Sequence, residues 1–379
     1  MSSIYLHIPF CETKCIYCDF YSIENRDSLE NFLIALDKEI ELRATNDFTT
    51  EEVETIFFGG GTPSLLSPLQ FEKIFNKLYK YFKISPNAEI TTEANPGTVS
   101  VEKLKSYRTL GINRISFGAQ SFFEDELKFL SRIHSVDEID SAIRNAKSAG
   151  FENINLDLIF ALPNQTLERW DYNLTRAINL EPNHISAYSL IVEPNTPLIK
   201  LVKSGIVKTL PEELDARFYS HTIEKLNQNG FNQYEISNFS KPGFECKHNL
   251  NYWNHTNYIS FGPSAHSFWK NENSSKRWWN SRSVKDYIDS VQKNIFPVAE
   301  IETLTKENLF VESIFLGLRL GELNLSLINS LYEKNLFSTH NERLKDFEKE
   351  NLIYLNENKI KLTDKGFAFC DEIAEQLIS

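Results

Sequence analysis

Positive charge is scarce in this chain: 40 Lys and Arg stand against 52 Asp and Glu, for a net charge of −12. A protein that grips nucleic acid along a broad surface needs a basic face to displace counterions, so no nucleic-acid partner is expected. Long apolar runs are missing as well. None approaches the roughly 20 residues that cross a bilayer, and no transmembrane segment is expected. Internal repeats and low-complexity tracts are lacking. Cysteine is sparse, odd in number and unevenly spread, at Cys11, Cys15, Cys18, Cys246 and Cys370. Three thiols crowded together do not make a disulfide framework; they suit metal ligands in a reducing compartment. No signal peptide is visible after Met1-Ser2-Ser3, and the expected location is cytoplasmic.

What remains is ample for a large core: 41% of residues are hydrophobic and 24% charged. Strand-like runs at 4–7, 55–58, 89–93, 114–117, 155–160 and 184–190 alternate with helical ones at 28–43, 68–82, 100–110, 123–130, 136–149 and 167–179. Such alternation predicts an α/β fold with a parallel sheet and helices outside, either doubly wound or part of a barrel. The unusual residues fall just after strands: the loop 11–18, Gly59 to Thr62, Glu93, Gln120, and Asp157 late in its strand. Convergence at strand C-terminal ends favours a partial (β/α)6 barrel. Its expected extent is 1–195. An irregular, aromatic-rich extension follows at 196–300. A third module at 301–379 has a helix at 306–320, further helices, a hairpin around Asn356 and Asn358, and a last helix at 364–377. Helices followed by a small hairpin predict a winged-helix-like module. Its 15 acidic and 9 basic residues (300–379) suit a protein contact or a lid better than DNA.

Cys11, Cys15 and Cys18 form CxxxCxxC. Three thiolates can hold three irons of a 4Fe–4S cubane and leave the fourth iron open to a small molecule. The alternative is a zinc site that adds His7. Gly59-Gly60-Gly61-Thr62-Pro63 after a strand lets backbone approach a ligand closely, and it is not a Walker loop because no Gly-Lys-Ser/Thr follows. Taken alone, Gln120 reads as a capped turn, Arg132 as half of a surface ion pair, and His7 and His134 as structural.

Together these motifs resemble the radical S-adenosylmethionine (SAM) superfamily and, within it, the oxygen-independent coproporphyrinogen-III dehydrogenase (HemN-like) family. The resemblance runs from Tyr5 into the C-terminal module. It implies an oxygen-sensitive 4Fe–4S cluster on Cys11, Cys15 and Cys18, with SAM chelating the open iron. It also implies that Tyr5, Gly59, Gly60, Gly61, Thr62 and Glu93 lie around that SAM. Gln120, Arg132 and Asp157, with Tyr17, would line a second SAM or substrate pocket. Two departures weigh against coproporphyrinogen chemistry. The dehydrogenases have a cysteine where Phe20 stands, and a longer region before the cluster loop.

A last motif, His248-Asn249-Leu250-Asn251-Tyr252-Trp253, has the HNxxYW pattern of the HemW branch, whose members act as haem chaperones. Read from the residues alone, His248 is a buried core histidine. The resemblance implies instead that it ligates haem, and that haem passes to an acceptor protein, at the membrane or away from it; Cys246, His255 and His266, nearby in the sequence, are the alternative ligands.

Overall fold

The computed structural model describes residues 1–44, 46–272, 274–356 and 358–378. Six parallel strands run in sequence order: β1 (Ser2–Ile8), β2 (Glu52–Gly60), β3 (Lys83–Ala94), β4 (Arg114–Gln120), β5 (Asn153–Phe160) and β6 (His184–Ser189). A strand, a crossover helix and the next parallel strand repeat without a reversal, the arrangement of a partial barrel. The helices are specified locally. Pro68–Tyr81 begins at a Ser67–Gln70 capping box with proline at its start, and buries Phe71, Ile74, Phe75 and Leu78. Val136–Ser148 has a second capping box, Ser135–Glu138. Leu167–Asn179 is capped by Thr166 and buries Trp170, Leu174 and Ala177 against the sheet.

The segment expected to be irregular is not. It contributes β7 (Asn232–Glu235), β8 (Asn238–Ser240), β9 (Asn257–Phe261), β10 (His266–Lys270), β11 (Ser275–Asn280) and β12 (Val298–Thr303). These extend both edges into one open twelve-stranded sheet, ordered β12-β11-β10-β9-β1-β2-β3-β4-β5-β6-β8-β7. Strand β9 joins β1 in parallel, and the outer strands add antiparallel. The aromatic residues are what these strands pack with. Phe268 pairs across from Tyr258, and Trp269 and Trp278 meet the ring of Phe48. Ring contacts such as the cross-strand pair Tyr258–Phe268 stabilise short strands whose alternation alone is too brief to read.

A second, separate core gathers Phe310, Ile314, Leu318, Leu344, Ile360, Ile373 and Leu377. Here β13 (Glu322–Asn324), β15 (Lys359–Leu362) and β14 (Ile353–Asn356) form a three-stranded sheet beside helices, a winged-helix-like arrangement. Position 357, in the expected hairpin turn, lies outside the described residues. The expected last helix is two, Asp364–Phe367 and Cys370–Ile378. Gly366 sits so close to the Leu352 carbonyl that a Cβ would clash with its oxygen, and the first of these helices ends one residue later.

Candidate functional site

The loop holding the three cysteines leaves the end of β1. Its base is closed by backbone bonds, Cys11 N–H to the Ile23 carbonyl (3.0 Å) and Ile23 N–H to the Pro9 carbonyl (2.8 Å), with Cys18 N–H to the Cys15 carbonyl (3.2 Å) inside it. All three thiols are free and half-buried. Donors face them: Thr62 Oγ1 lies 3.5 Å from Cys11 Sγ, and Arg132 Nη1 lies 3.5 Å from Cys15 Sγ. Such donors stabilise anionic sulfur, and three thiolates on a cubane leave a net negative cluster. The zinc alternative does not fit. His7 has both ring nitrogens engaged, one with Tyr5 Oη (3.2 Å) and one with the Tyr21 carbonyl (2.8 Å). Among the described residues no three His, Cys, Asp or Glu side chains converge as ligands of a single ion. A cubane needs no such convergence, because each thiolate binds its own iron.

The glycine run lines the wall beside this loop. Gly60 has φ +104° and a Cβ there would stand 2.6 Å from the His7 ring. At Gly61 a Cβ would stand 2.6 Å from the Phe10 carbonyl oxygen. The N–H groups of Gly61 and Thr62 already bond the Ile8 and Phe10 carbonyls, at 2.8 Å each. Part of the glycine requirement is therefore close packing on the cluster strand. Gly59 faces side chains instead of backbone: a Cβ there would come within 3.0 Å of the Tyr5 and Phe57 rings and 3.2 Å of Glu93. Burial, and next the charge of Asp157, push the Glu93 carboxyl up to about 8 against the hydrogen bond it accepts from the Gly60 amide, which pulls it down.

Further round the mouth, Arg132 bonds the Gly118 carbonyl (2.8 Å) and Asn95 Oδ1 besides facing Cys15. Gln120 at the end of β4 has φ +66°, Ser131 before Arg132 has φ +59°, and Ala161 after β5 has φ +58°. Left-handed backbone at non-glycine residues stores strain. Asp157 accepts from Ser116 Oγ (3.0 Å) and Asn155 Nδ2 (2.7 Å), while burial raises its pKa. Tyr17 packs with Leu130, Ile159 and Leu162 beside the loop. Thr62, Arg132 and Tyr17 thus stand against the cysteines, Tyr5 and Glu93 meet at Gly59, Gln120 meets Arg132 at Gly118, and the charge of Asp157 is felt at Glu93.

His248 is placed elsewhere. The residue lies on the short helix Lys247–Trp253, which closes the sheet interior one layer beneath Gly59 and Glu93. The ring is 1% exposed and stacks on Phe57 at 5.0 Å between centroids. Both nitrogens are used: Nδ1 meets Thr55 Oγ1 (2.7 Å) and Nε2 meets Tyr252 Oη (2.9 Å). In this arrangement the ring offers iron no free nitrogen. That agrees with the buried core histidine read from the residues alone.

Sequence reasoning missed the polar residues that hold this helix. Glu89 of β3 accepts from the amides of Lys247 (3.2 Å) and His248 (3.1 Å). A buried chain also runs from Asp157 through Asn155 and His184 to Tyr234, whose hydroxyl takes the Cys246 amide at 3.3 Å. A period-two polar register was the signal: Glu89, Thr91 and Glu93 on β3, then Arg114 and Ser116 on β4.

Comparison with known proteins accords with this geometry. Residues 5–174 match the Radical SAM superfamily, and residues 304–369 match the HemN C-terminal domain. A Bacillus subtilis protein named heme chaperone HemW is 37% identical over 98% of each chain. The Lactococcus lactis protein of that name is 32% identical over 100% of this chain and 97% of its own. That of Escherichia coli is 40% identical over 70% and 69%. Among solved structures, coproporphyrinogen III oxidase (HemN) from Escherichia coli shares the fold, with a TM-score of 0.84 and 24% identity over 100% of this chain and 90% of its own. The chain belongs to the HemW family of the radical SAM superfamily.

Proposed function

We propose that this protein is a haem chaperone that binds haem and hands it to an acceptor protein, and that it carries a SAM-ligated 4Fe–4S cluster. The observation that carries the reading is the end-to-end similarity to proteins named heme chaperone, across both the cysteine loop and the C-terminal module. A 4Fe–4S cluster, when bound, would supply an open iron that chelates SAM and passes it an electron. Cys11, Cys15 and Cys18 would hold that cluster, with Arg132 and Thr62 donating to its thiolates. Gly59 would let SAM approach the backbone, and Glu93 would receive its ammonium or ribose hydroxyls. Tyr5 and Tyr17 would flank it, and Gln120 and Asp157 would close the far side of the pocket. His248 is the proposed iron ligand for haem, reached by displacing the helix that carries it. The working location is the cytoplasm; among the described residues no helix is long and apolar enough to cross a membrane. Anaerobic reconstitution followed by haem titration tests the reading, and absence of saturable haem binding would end it.

Two expected results follow from particular residues. Incubation with coproporphyrinogen, SAM and a reductant should yield no protoporphyrinogen, because Phe20, 68% exposed beside Cys18, stands where the dehydrogenases have cysteine. Multiple turnovers detected by product chromatography would restore the dehydrogenase reading. The sequence alone expects Gly60→Val to weaken SAM binding and spare the cluster. With the His7 ring 2.6 Å from the new Cβ, and His7 bonded to Tyr21 at the base of the loop, iron and sulfide per chain should fall too. Gly59→Ala is the selective probe, expected to reduce the SAM-induced spectral shift at full iron content.

A further inference from the structure

The helix Lys247–Trp253 ends in a clamp supplied by the C-terminal module. His255, two residues past the helix, has φ +55° and stacks flat on Phe268, at 4.5 Å and 12°. Its Nε2 lies 2.9 Å from Glu312 Oε2. The same carboxylate receives Arg277 of β11 at 2.7 Å. Glu312 belongs to the helix Lys306–Arg319, the first of the C-terminal core, and this helix touches Lys247–Trp253. One carboxylate from the module therefore ties together the end of the His248 helix and the sheet extension. The start of that helix is held by the sheet, through Glu89, Thr55 and Tyr234, and Asn251 within it bonds Ser3.

We propose that Glu312 is a latch: its grip on His255 and Arg277 keeps the His248 helix seated, and movement of the C-terminal module away from it opens the path by which a haem reaches His248. The haem step in this proposal rests on His248 being the ligand; the latch itself does not. A charge-assisted contact at a partly buried site is strong enough to bias such an opening and weak enough to break. The acidic module then has a mechanical role that its lack of basic surface does not contradict.

Cys246 supplies a readout independent of haem. It is fully buried at the start of the helix and becomes reachable only when the helix lifts. Cys370, 3% exposed in the C-terminal core, reports instead on unfolding of the module. Iodoacetamide labelling of the anaerobic cluster-bearing protein, mapped by peptide mass spectrometry, follows each thiol separately. Glu312→Gln should raise the Cys246 labelling rate about tenfold with Cys370 unchanged. His255→Asn keeps a residue that tolerates positive φ and should do the same. Wild-type Cys246 rates in both variants would overturn the latch, as would a parallel rise at Cys370. Haem association, followed at the Soret band, should quicken in step with Cys246. Faster labelling without faster haem uptake would leave the latch standing and remove His248 as the ligand.

Discussion

Serine at position 11, 15 or 18 is expected to abolish the cluster, with iron, sulfide and visible absorbance lost after anaerobic reconstitution. A hydroxyl is a hard, weakly acidic donor and does not replace a thiolate on iron. The loss should be local. The loop's base is tied by backbone bonds to Ile23 and Pro9, and the three thiols lie outside the main apolar cluster. Thermal unfolding of the apo variants should therefore track apo wild type. Neighbouring groups sharpen the test. Arg132 faces Cys15 and also holds Asn95 and the Gly118 carbonyl, so Cys15→Ser removes a sulfur without freeing the guanidinium. Full iron and sulfide in a triple serine variant would show that the loop is not the cluster site.

The parallel half of the fold was legible because its strands alternate apolar and polar residues between turn residues. β4, Arg-Ile-Ser-Phe-Gly-Ala-Gln, and β5, Asn-Ile-Asn-Leu-Asp-Leu-Ile-Phe, are of this kind. Their polar residues are equally regular and line the interior where Ser116, Asn155 and Asp157 bond one another. The outer strands were hidden for the opposite reason. β8 has three residues and β7 four, and β12 is mostly exposed, so pairing partners and not local pattern create them. The cysteine loop and its surroundings were legible as motifs. The seat of His248 was not, since nothing in HNxxYW foretells that Thr55 and Glu89, far away in sequence, will meet it. Spacing identifies which residues are unusual; the barrel register decides which of them face one another.

Haem retention is expected to fall at least about tenfold in His248→Ala, with a changed Soret band and an intact cluster. The imidazole is chemically ready: burial, and next the charge of Arg114, lower its pKa to about 3, so it is neutral and needs to shed no proton to bind iron. Its nitrogens are committed, however, and ligation must break a bond to Thr55 or Tyr252. Each such exchange opposes binding by about 1 kcal/mol. Tyr252→Phe frees Nε2 and keeps the ring that packs on His248, so it should preserve the wild-type Soret band and tighten haem binding several-fold. Opposite effects of the two variants separate a ligand from a merely structural histidine, whose loss and whose loosening would both weaken the site. An unchanged spectrum and affinity in His248→Ala would move the ligand elsewhere, and the alternatives are then ranked by access. Cys246 comes last, because burial pushes its thiol up to about 12 and keeps it protonated. His255 is held by Glu312. His266 comes first: it is exposed at the start of β10 and stacks on Trp279 at 5.5 Å, a surface imidazole beside an aromatic face that a porphyrin can share.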